Sequence, residues 1–211
     1  MATYSRDERD ALADLLTEVG PGAPTLCGDW TTRDLAAHLV VRERRPDTAL
    51  GAVLPGLGGW AERTRTGLRD GTSWDELVGR VRAGAPAWSP MGNPLTEPAV
   101  NLLEFFVHHE DVRRAQPGWG PRALPSGLED RLWSTLKLAG GLATRSWPGG
   151  LTVSAPDGRT VRLRRGEPDL TVSGAPSELV LFCTGRQRVA RVSVDGPPDG
   201  VAALNAARFA I

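Results

Sequence analysis

The spacing of apolar residues predicts helices through the first part of the chain. Residues 5–19 place leucine and valine three and four apart, which puts them on one helix face, and the sequence GPG then ends the helix. Thr31 or Thr32 can cap a second helix, with Asp34 in its first turn near the positive end of the helix dipole. Further helices are predicted at 60–69, after Ser73, at about 95–115 and from Ser126 to about 147.

Two of these helices carry the pattern of a capping box at their start. Ser73 is followed three residues later by Glu76, and Ser126 is followed in the same way by Glu129. In a capping box the serine and the glutamate each accept a hydrogen bond from the other's backbone N–H. We therefore expect both helices to begin at these serines.

The hydrophobic period falls to two beyond about residue 148. Two short alternating runs flank the turn sequence Pro156-Asp157-Gly158, which predicts a β-hairpin. The rest of the region predicts a strand at 169–173, a helix from Pro176 that stops at Gly185, a strand at 191–195 and a terminal helix from about 198. The chain is therefore predicted to be an α+β protein, with a helical bundle at 1–148 and a small α+β domain at 149–211.

Composition narrows the possible partners and the compartment. Lys plus Arg and Asp plus Glu both number 25, so the formal net charge is zero and no overall field attracts nucleic acid or an anionic membrane. There is no signal-peptide pattern, and no apolar run approaches the roughly 20 residues of a membrane helix. The two cysteines lie far apart in sequence. We expect a reduced, cytoplasmic protein.

Candidate chemistry lies in the segment NLLEFFVHHEDVRRA, residues 101–115. Glu104 and His108 are four residues apart and share one helix face, and Asp111 continues that face. Apolar residues surround them, so this helix is predicted to be buried on nearly all sides. A buried carboxylate and imidazole need each other or a metal ion. A hydrogen-bonded pair and a metal site therefore both remain open.

His38 favours the metal site. It lies in another apolar helical segment, DLAAHLVV, where a solvent-exposed histidine side chain is hard to place. If the two helices are neighbours, His38, Glu104 and His108 converge as two imidazoles and one carboxylate. That set suits zinc or another divalent ion and leaves coordination positions open. The alternative is a purely structural bundle with buried polar pairs.

These residues carry a resemblance to a known family. The segment PTLCGDWTTRDLAAHL, the pair Glu104 and His108 followed by HEDVRRA, and the ending DLTVSGAPSELVLFCTGR with VSVDG resemble the DinB-type, mycothiol-dependent maleylpyruvate isomerases of actinobacteria. The resemblance covers nearly the whole chain. It implies a four-helix bundle that binds a divalent metal, usually zinc, through His38, Glu104 and His108, with a small domain resembling sterol-carrier folds.

The resemblance also implies a chemistry. A low-molecular-weight thiol, mycothiol, would lose its proton at the open metal position and act as a nucleophilic thiolate. The expected function is an isomerase or S-transferase acting on a small electrophilic substrate, in a monomer or homodimer. The alternative is a metal- or ligand-binding protein that has kept the site without turnover.

Other polar residues have weaker claims to a role. Arg186 is the candidate catalytic residue of the C-terminal domain, because a guanidinium can clamp a substrate carboxylate. Asp34 and Asp111 either orient a ligand histidine or pair with arginines, and Arg42, one turn beyond His38, can face the cleft. The remaining expectations are that Cys27 is a small buried thiol or else approaches the metal, that Cys183 packs in a core, and that His109 faces solvent.

Overall fold

The chain forms two compact units, with the boundary between Gly120 and Pro121. The computed structural model describes residues 4–49, 58–86, 88–92 and 97–209. Among these residues, no helix is both long enough and apolar enough to cross a bilayer. The architecture is the predicted α+β class, with a helical bundle followed by a small sheet with helices.

The first unit is built from amphipathic helices. Helix α1 packs against α5 and α4, and α2 packs against α3 and α4. Their apolar faces meet in a core that includes Leu12, Leu35, Leu77 and Phe105, all fully buried. The helices are α1 (Tyr4–Val19), α2 (Thr32–Arg44), α3 (Gly58–Gly71), α4 (Trp74–Ala83) and α5 (Glu97–Arg113), with short 3-10 helices at Pro46–Ala49 and Pro90–Gly92.

Helix α2 begins at a capping box that fixes its direction. The Thr31 hydroxyl accepts a hydrogen bond from the Asp34 backbone N–H, and the Asp34 carboxylate accepts one from the Thr31 N–H at 3.1 Å. Both N–H groups would otherwise lack a helical partner. Of the two residues predicted as possible caps, Thr31 and Thr32, the structure shows Thr31 as the cap. At α4 the Ser73 hydroxyl likewise accepts from the Glu76 N–H.

The bundle also buries several ion pairs. Arg9 donates to Glu43 and to the Val81 carbonyl, and its guanidinium lies 4.0 Å from the centre of the Phe105 ring. His109 is also buried, with Nδ1 2.8 Å from Glu8 Oε2. The prediction that His109 faces solvent is wrong, because α1 packs on that side of α5.

The second unit is a four-stranded sheet with helices. The strand order is β2-β1-β3-β4, with β1 antiparallel to β2 and parallel to β3, and β3 antiparallel to β4. The predicted hairpin is confirmed as β1 and β2. The elements are α6 (Ser126–Ala143), β1 (Gly150–Ser154), β2 (Thr160–Arg164), β3 (Asp169–Ser173), α7 (Pro176–Cys183), β4 (Ser193–Asp195) and α8 (Pro198–Ala206).

Helix α6 packs against α7 and β2, both of which belong to the second unit. The change of hydrophobic period near residue 148 placed this helix with the bundle, whereas the compact units divide after Gly120. Periodicity identifies a helix and its buried face, but it does not identify the neighbour that covers that face.

The capping box predicted at Ser126 is absent. The residue that caps α6 is Pro125, with no side-chain cap hydrogen bond. Glu129 instead accepts hydrogen bonds from the backbone N–H and the hydroxyl of Ser177, both at 2.8 Å. Ser177 lies in the first turn of α7, so the carboxylate satisfies N–H groups at the start of another helix.

Candidate metal centre

Helices α2 and α5 bring three of the predicted site residues together. His38 Nε2 lies 3.2 Å from Glu104 Oε1, and His108 Nε2 lies 3.2 Å from the same oxygen. The two imidazole rings are nearly perpendicular, with centroids 5.4 Å apart. The donor atoms of all three residues lie within 4.8 Å of one another. The expected convergence is therefore present in the fold.

The spacing of these atoms suits a tetrahedral divalent ion. Zinc bonds of about 2.0–2.1 Å to nitrogen and oxygen place neighbouring donor atoms about 3.3 Å apart. The two measured nitrogen to oxygen distances are 3.2 Å. Two histidines and one carboxylate are also a donor set of catalytic zinc sites, which keep a coordination position open. The residues present therefore fit a divalent metal.

Glu104 is held as an anion by its surroundings. Arg42 Nε lies 3.4 Å from Glu104 Oε2, and the Arg42 guanidinium also donates to Asn101 Oδ1 at 2.8 Å. Burial alone would raise the pKa of Glu104, but hydrogen bonds from His108 and His38 and the charge of Arg42 hold it well below its usual range. A metal ligand of this type needs to be deprotonated.

His108 is oriented from its other ring nitrogen. Nδ1 lies 2.9 Å from Oδ2 of Asp111, which is fully buried. Burial alone would lower the pKa of His108, but hydrogen bonds to Asp111, Cys27 and Glu104 raise it well above its ordinary value. A carboxylate behind a ligand histidine fixes the ring and directs the second nitrogen at the metal. Of the two roles considered for Asp111, the structure shows the one that orients the histidine.

Asp34 takes the other role. Its carboxylate accepts hydrogen bonds from Arg65 at 2.6 Å and from Arg69 at 2.9 Å, besides its part in the α2 capping box. Its partners are Arg65 and Arg69 of α3, together with Thr31. This aspartate stabilises the start of the helix that carries His38.

Three further residues lie around the site. Cys27 is half-buried, with Sγ 3.1 Å from Asp111 Oδ2 and 3.8 Å from His108 Nδ1. The Trp30 ring lies 5.3 Å from the His38 ring. Asn101 is buried and links Arg42 to the backbone carbonyl of Met91. Sequence reasoning missed Asn101, although its position one turn before Glu104 on α5 was a signal that could have found it.

The two C-terminal residues considered in the sequence analysis, Arg186 and Cys183, lie in the second unit. Gly185 follows α7 with a positive φ of 94°, and the Arg186 N–H donates to the Leu181 carbonyl at 2.9 Å. Arg186 is half-buried, and its guanidinium also donates to the Thr184 carbonyl. Its role as a substrate clamp stays a prediction. Cys183 is fully buried, as predicted, and burial raises the pKa of its thiol to about 12.

Comparison with known proteins gives a likeness in fold. A scan against known protein families found no match, and neither did a search of curated proteins. Among solved structures, the chain is similar to a mycothiol-dependent maleylpyruvate isomerase, with a TM-score of 0.57 and 15% identity over 92% of this chain and 90% of the other. A histidine-to-alanine mutant of a mycothiol-dependent maleylpyruvate isomerase gives a TM-score of 0.58 and 17% identity over the same shares. The chain therefore resembles the mycothiol-dependent maleylpyruvate isomerases in fold, as its motifs predicted.

Proposed function

We propose that this protein is a metal- and thiol-dependent enzyme of the isomerase or S-transferase type. The metal is a divalent ion, zinc in our expectation, and its ligands are His38, Glu104 and His108. The cosubstrate is a low-molecular-weight thiol, mycothiol in our expectation. The observation that carries the proposal is the convergence of three donor atoms within 4.8 Å on two helices. The fold shared with mycothiol-dependent maleylpyruvate isomerases supports it.

The chain's own residues prepare this site for a ligand. Asp111 holds Nδ1 of His108, so that Nε2 is directed toward His38 and Glu104. Arg42 holds the second oxygen of Glu104 and keeps the carboxylate charged. Three protein ligands leave a position for an exogenous group. A divalent ion held there supplies Lewis acidity that lowers the pKa of a coordinated thiol.

The thiolate then accounts for either reaction type. In an isomerase it adds to one carbon of a cis double bond, rotation follows about the resulting single bond, and elimination of the thiolate restores a trans double bond. In a transferase it displaces a leaving group and stays on the product. The nucleophile comes from the cosubstrate in both cases, and we place the reaction in the cytoplasm because thiols stay reduced there.

The experiment is a rate measurement with zinc-loaded protein, mycothiol and a cis-unsaturated diacid such as maleylpyruvate. We expect isomerisation faster than with mycothiol alone, and we expect Glu104→Gln to remove the acceleration. Glu76→Gln is the matched control, because Glu76 is an exposed residue of α4 that pairs with Arg80. If a broad panel of electrophiles shows no rate above that of free mycothiol, the protein is a non-catalytic metal- or ligand-binding protein instead.

Arg186 is our proposed contact for a substrate carboxylate. Its planar guanidinium can bind a carboxylate through two parallel hydrogen bonds. We expect Arg186→Ala to raise KM for a diacid about tenfold or more, given the usual strength of such charged hydrogen bonds, with metal content unchanged. The same variant should leave KM unchanged for an ester that lacks the carboxylate. An equal loss for both substrates would contradict this role.

A further inference from the structure

A second group of metal-ligand types lies on the other side of the His108 ring. Cys27 Sγ, Asp111 Oδ2 and His108 Nδ1 form a triangle with sides of 3.1, 3.8 and 2.9 Å. These three donor atoms lie within 4.8 Å of one another, as do those of His38, Glu104 and His108. His108 therefore belongs to both groups, through Nε2 in one and Nδ1 in the other.

The dimensions of this triangle are close to those of a metal-bound set. Zinc bonds of about 2.3 Å to sulfur and about 2.0–2.1 Å to nitrogen and oxygen place sulfur about 3.6 Å from its neighbours, and nitrogen about 3.3 Å from oxygen. Each side of the observed triangle lies within about 0.5 Å of these values. Small side-chain rotations would bring the three donor atoms to the distances of a metal-bound set.

The surroundings distinguish this group from a chance cluster on the surface. Asp111 is fully buried, and its backbone carbonyl also accepts a hydrogen bond from the Leu26 N–H at 3.1 Å. That contact ties the loop before α2 to α5 and keeps Cys27 beside the aspartate. Cys27 itself is only half-buried, whereas Asp111 is fully buried.

We propose that Cys27, Asp111 and Nδ1 of His108 form a second ligand set, which takes a thiophilic divalent ion such as cadmium. The thiolate makes this set softer than the set of two imidazoles and one carboxylate. The inference concerns ion binding alone, so it does not depend on the proposed reaction.

The shared histidine makes the two sets alternatives. A neutral imidazole has a lone pair on one ring nitrogen and a proton on the other. When Nδ1 binds an ion, the ring proton is on Nε2, where it donates to Glu104 Oε1. When Nε2 binds an ion, the proton is on Nδ1, where it donates to Asp111. One ion therefore binds at a time, and its softness decides which set holds it.

Binding at the second set has a defined proton balance. The Cys27 thiol gives up its proton as the sulfur to metal bond forms, a protonated His108 gives up the proton on Nδ1, and these protons pass to solvent. No oxidant or reductant takes part. Cadmium binding should therefore release protons, which a buffer-dependent heat of binding measures.

The test is a cadmium titration of the full-length protein, followed by the ultraviolet absorption of the thiolate to cadmium bond. We expect one equivalent of cadmium to produce the absorption in wild-type protein. Cys27→Ser should remove it and weaken cadmium binding at least about tenfold, since even loss of a residue behind a ligand has an effect of that size. Cys183→Ala is the matched control and should keep the absorption, because that thiol is fully buried.

One more variant, His38→Gln, distinguishes binding at the second ligand set from binding at the first. His38→Gln removes one ligand of the first set and none of the second, so its cadmium absorption should match that of the wild type. No absorption in the wild type, or equal absorption in Cys27→Ser, would overturn the inference. Circular dichroism of each variant establishes that it is folded. Failure of the enzymatic assay leaves these expectations unchanged.

Discussion

At the scale of single residues, the two cysteines differ in what surrounds the sulfur atom. Cys183 is fully buried among apolar side chains of the second unit, and burial raises the pKa of its thiol to about 12. Cys27 is half-buried, and its sulfur lies beside the side chains of Asp111 and His108. Because a thiolate is the reactive form, the two should differ in reactivity.

We predict that iodoacetamide modifies Cys27 in the native protein at pH 8 and modifies Cys183 only after unfolding. The partial exposure of Cys27 and the burial and raised pKa of Cys183 are the physical reasons. Mass spectrometry of peptides from native and denatured samples measures both sites. Modification of Cys183 in native protein at the rate seen in denaturant would show that this core is open to solvent.

The neighbouring histidines show what the sequence could predict at this scale. Helical spacing placed Glu104 and His108 on one face, and the apolar segment around His38 indicated that it needed a partner. The same spacing places His109 on a different face of the helix, which predicts that its side chain is exposed to solvent. Its partner is Glu8, which is 101 residues away in the chain. Periodicity within one helix carries no information about such a distant partner.

At the scale of elements, the start of α2 depends on Asp34. This carboxylate caps the helix and binds Arg65 and Arg69 of α3. Burial alone would raise the pKa of Asp34, but hydrogen bonds from Arg65, Arg69 and Thr31 hold it well below its usual range. The aspartate therefore links the entry of the His38 helix to its neighbour.

We predict that Asp34→Asn lowers the free energy of unfolding by about 3 kcal/mol at pH 7, because it breaks a buried ion pair. The pKa of the Asp34 carboxyl is lower in the folded state than in the unfolded state. Its contribution to the free energy of unfolding is therefore complete above the pKa of the unfolded state, about 3.9. Below that value the unfolded chain binds a proton first, and the contribution falls as the pH falls. The stability difference between wild type and variant should therefore shrink below about pH 4.

Urea unfolding across this pH range measures the difference. Asp70→Asn is the control, because Asp70 pairs with Arg69 at the exposed surface of α3. Exposed pairs contribute about 1 kcal/mol or less, so this variant should stay close to wild type. A difference for Asp34→Asn that is the same at pH 3 and pH 7 would contradict the assigned role of the carboxylate.

The elements also show where sequence signals stop being sufficient. Apolar spacing and the Thr31 cap located α1 and α2 to within a few residues, and the alternation around Pro156-Asp157-Gly158 located the hairpin. The pattern at Ser126 failed because Glu129 has a better partner in Ser177, which is 48 residues later. A local motif predicts a local bond only when no distant group competes for the same oxygen atoms.

At the scale of the whole molecule, the candidate ligands belong to a single compact unit. His38, Glu104 and His108 all precede the boundary after Gly120, as do Asp111 and Arg42, which hold the ligands in place. The second unit contributes none of the five. Metal binding can therefore be tested in the first unit alone.

We predict that a fragment of residues 1–120 folds and binds zinc with an affinity close to that of the full chain. Its helices retain the buried core around Leu12, Leu35 and Phe105. Circular dichroism reports folding, and calorimetry reports zinc binding, with the same fragment carrying His108→Ala as the control. A folded fragment that binds no zinc, alongside a full chain that does, would show that the second unit supplies a required ligand.

The most direct test of the central claim is the zinc content of the full-length protein after purification without chelator. We predict about one zinc ion per chain in the wild type, and a content near zero in His108→Ala, since this residue serves both ligand sets. His109→Gln should keep the metal, because His109 is the adjacent histidine of α5 and its partner is Glu8. A wild-type protein without metal, whose unfolding temperature does not rise when zinc is added, would contradict the account and favour a hydrogen-bonded core of histidine and glutamate.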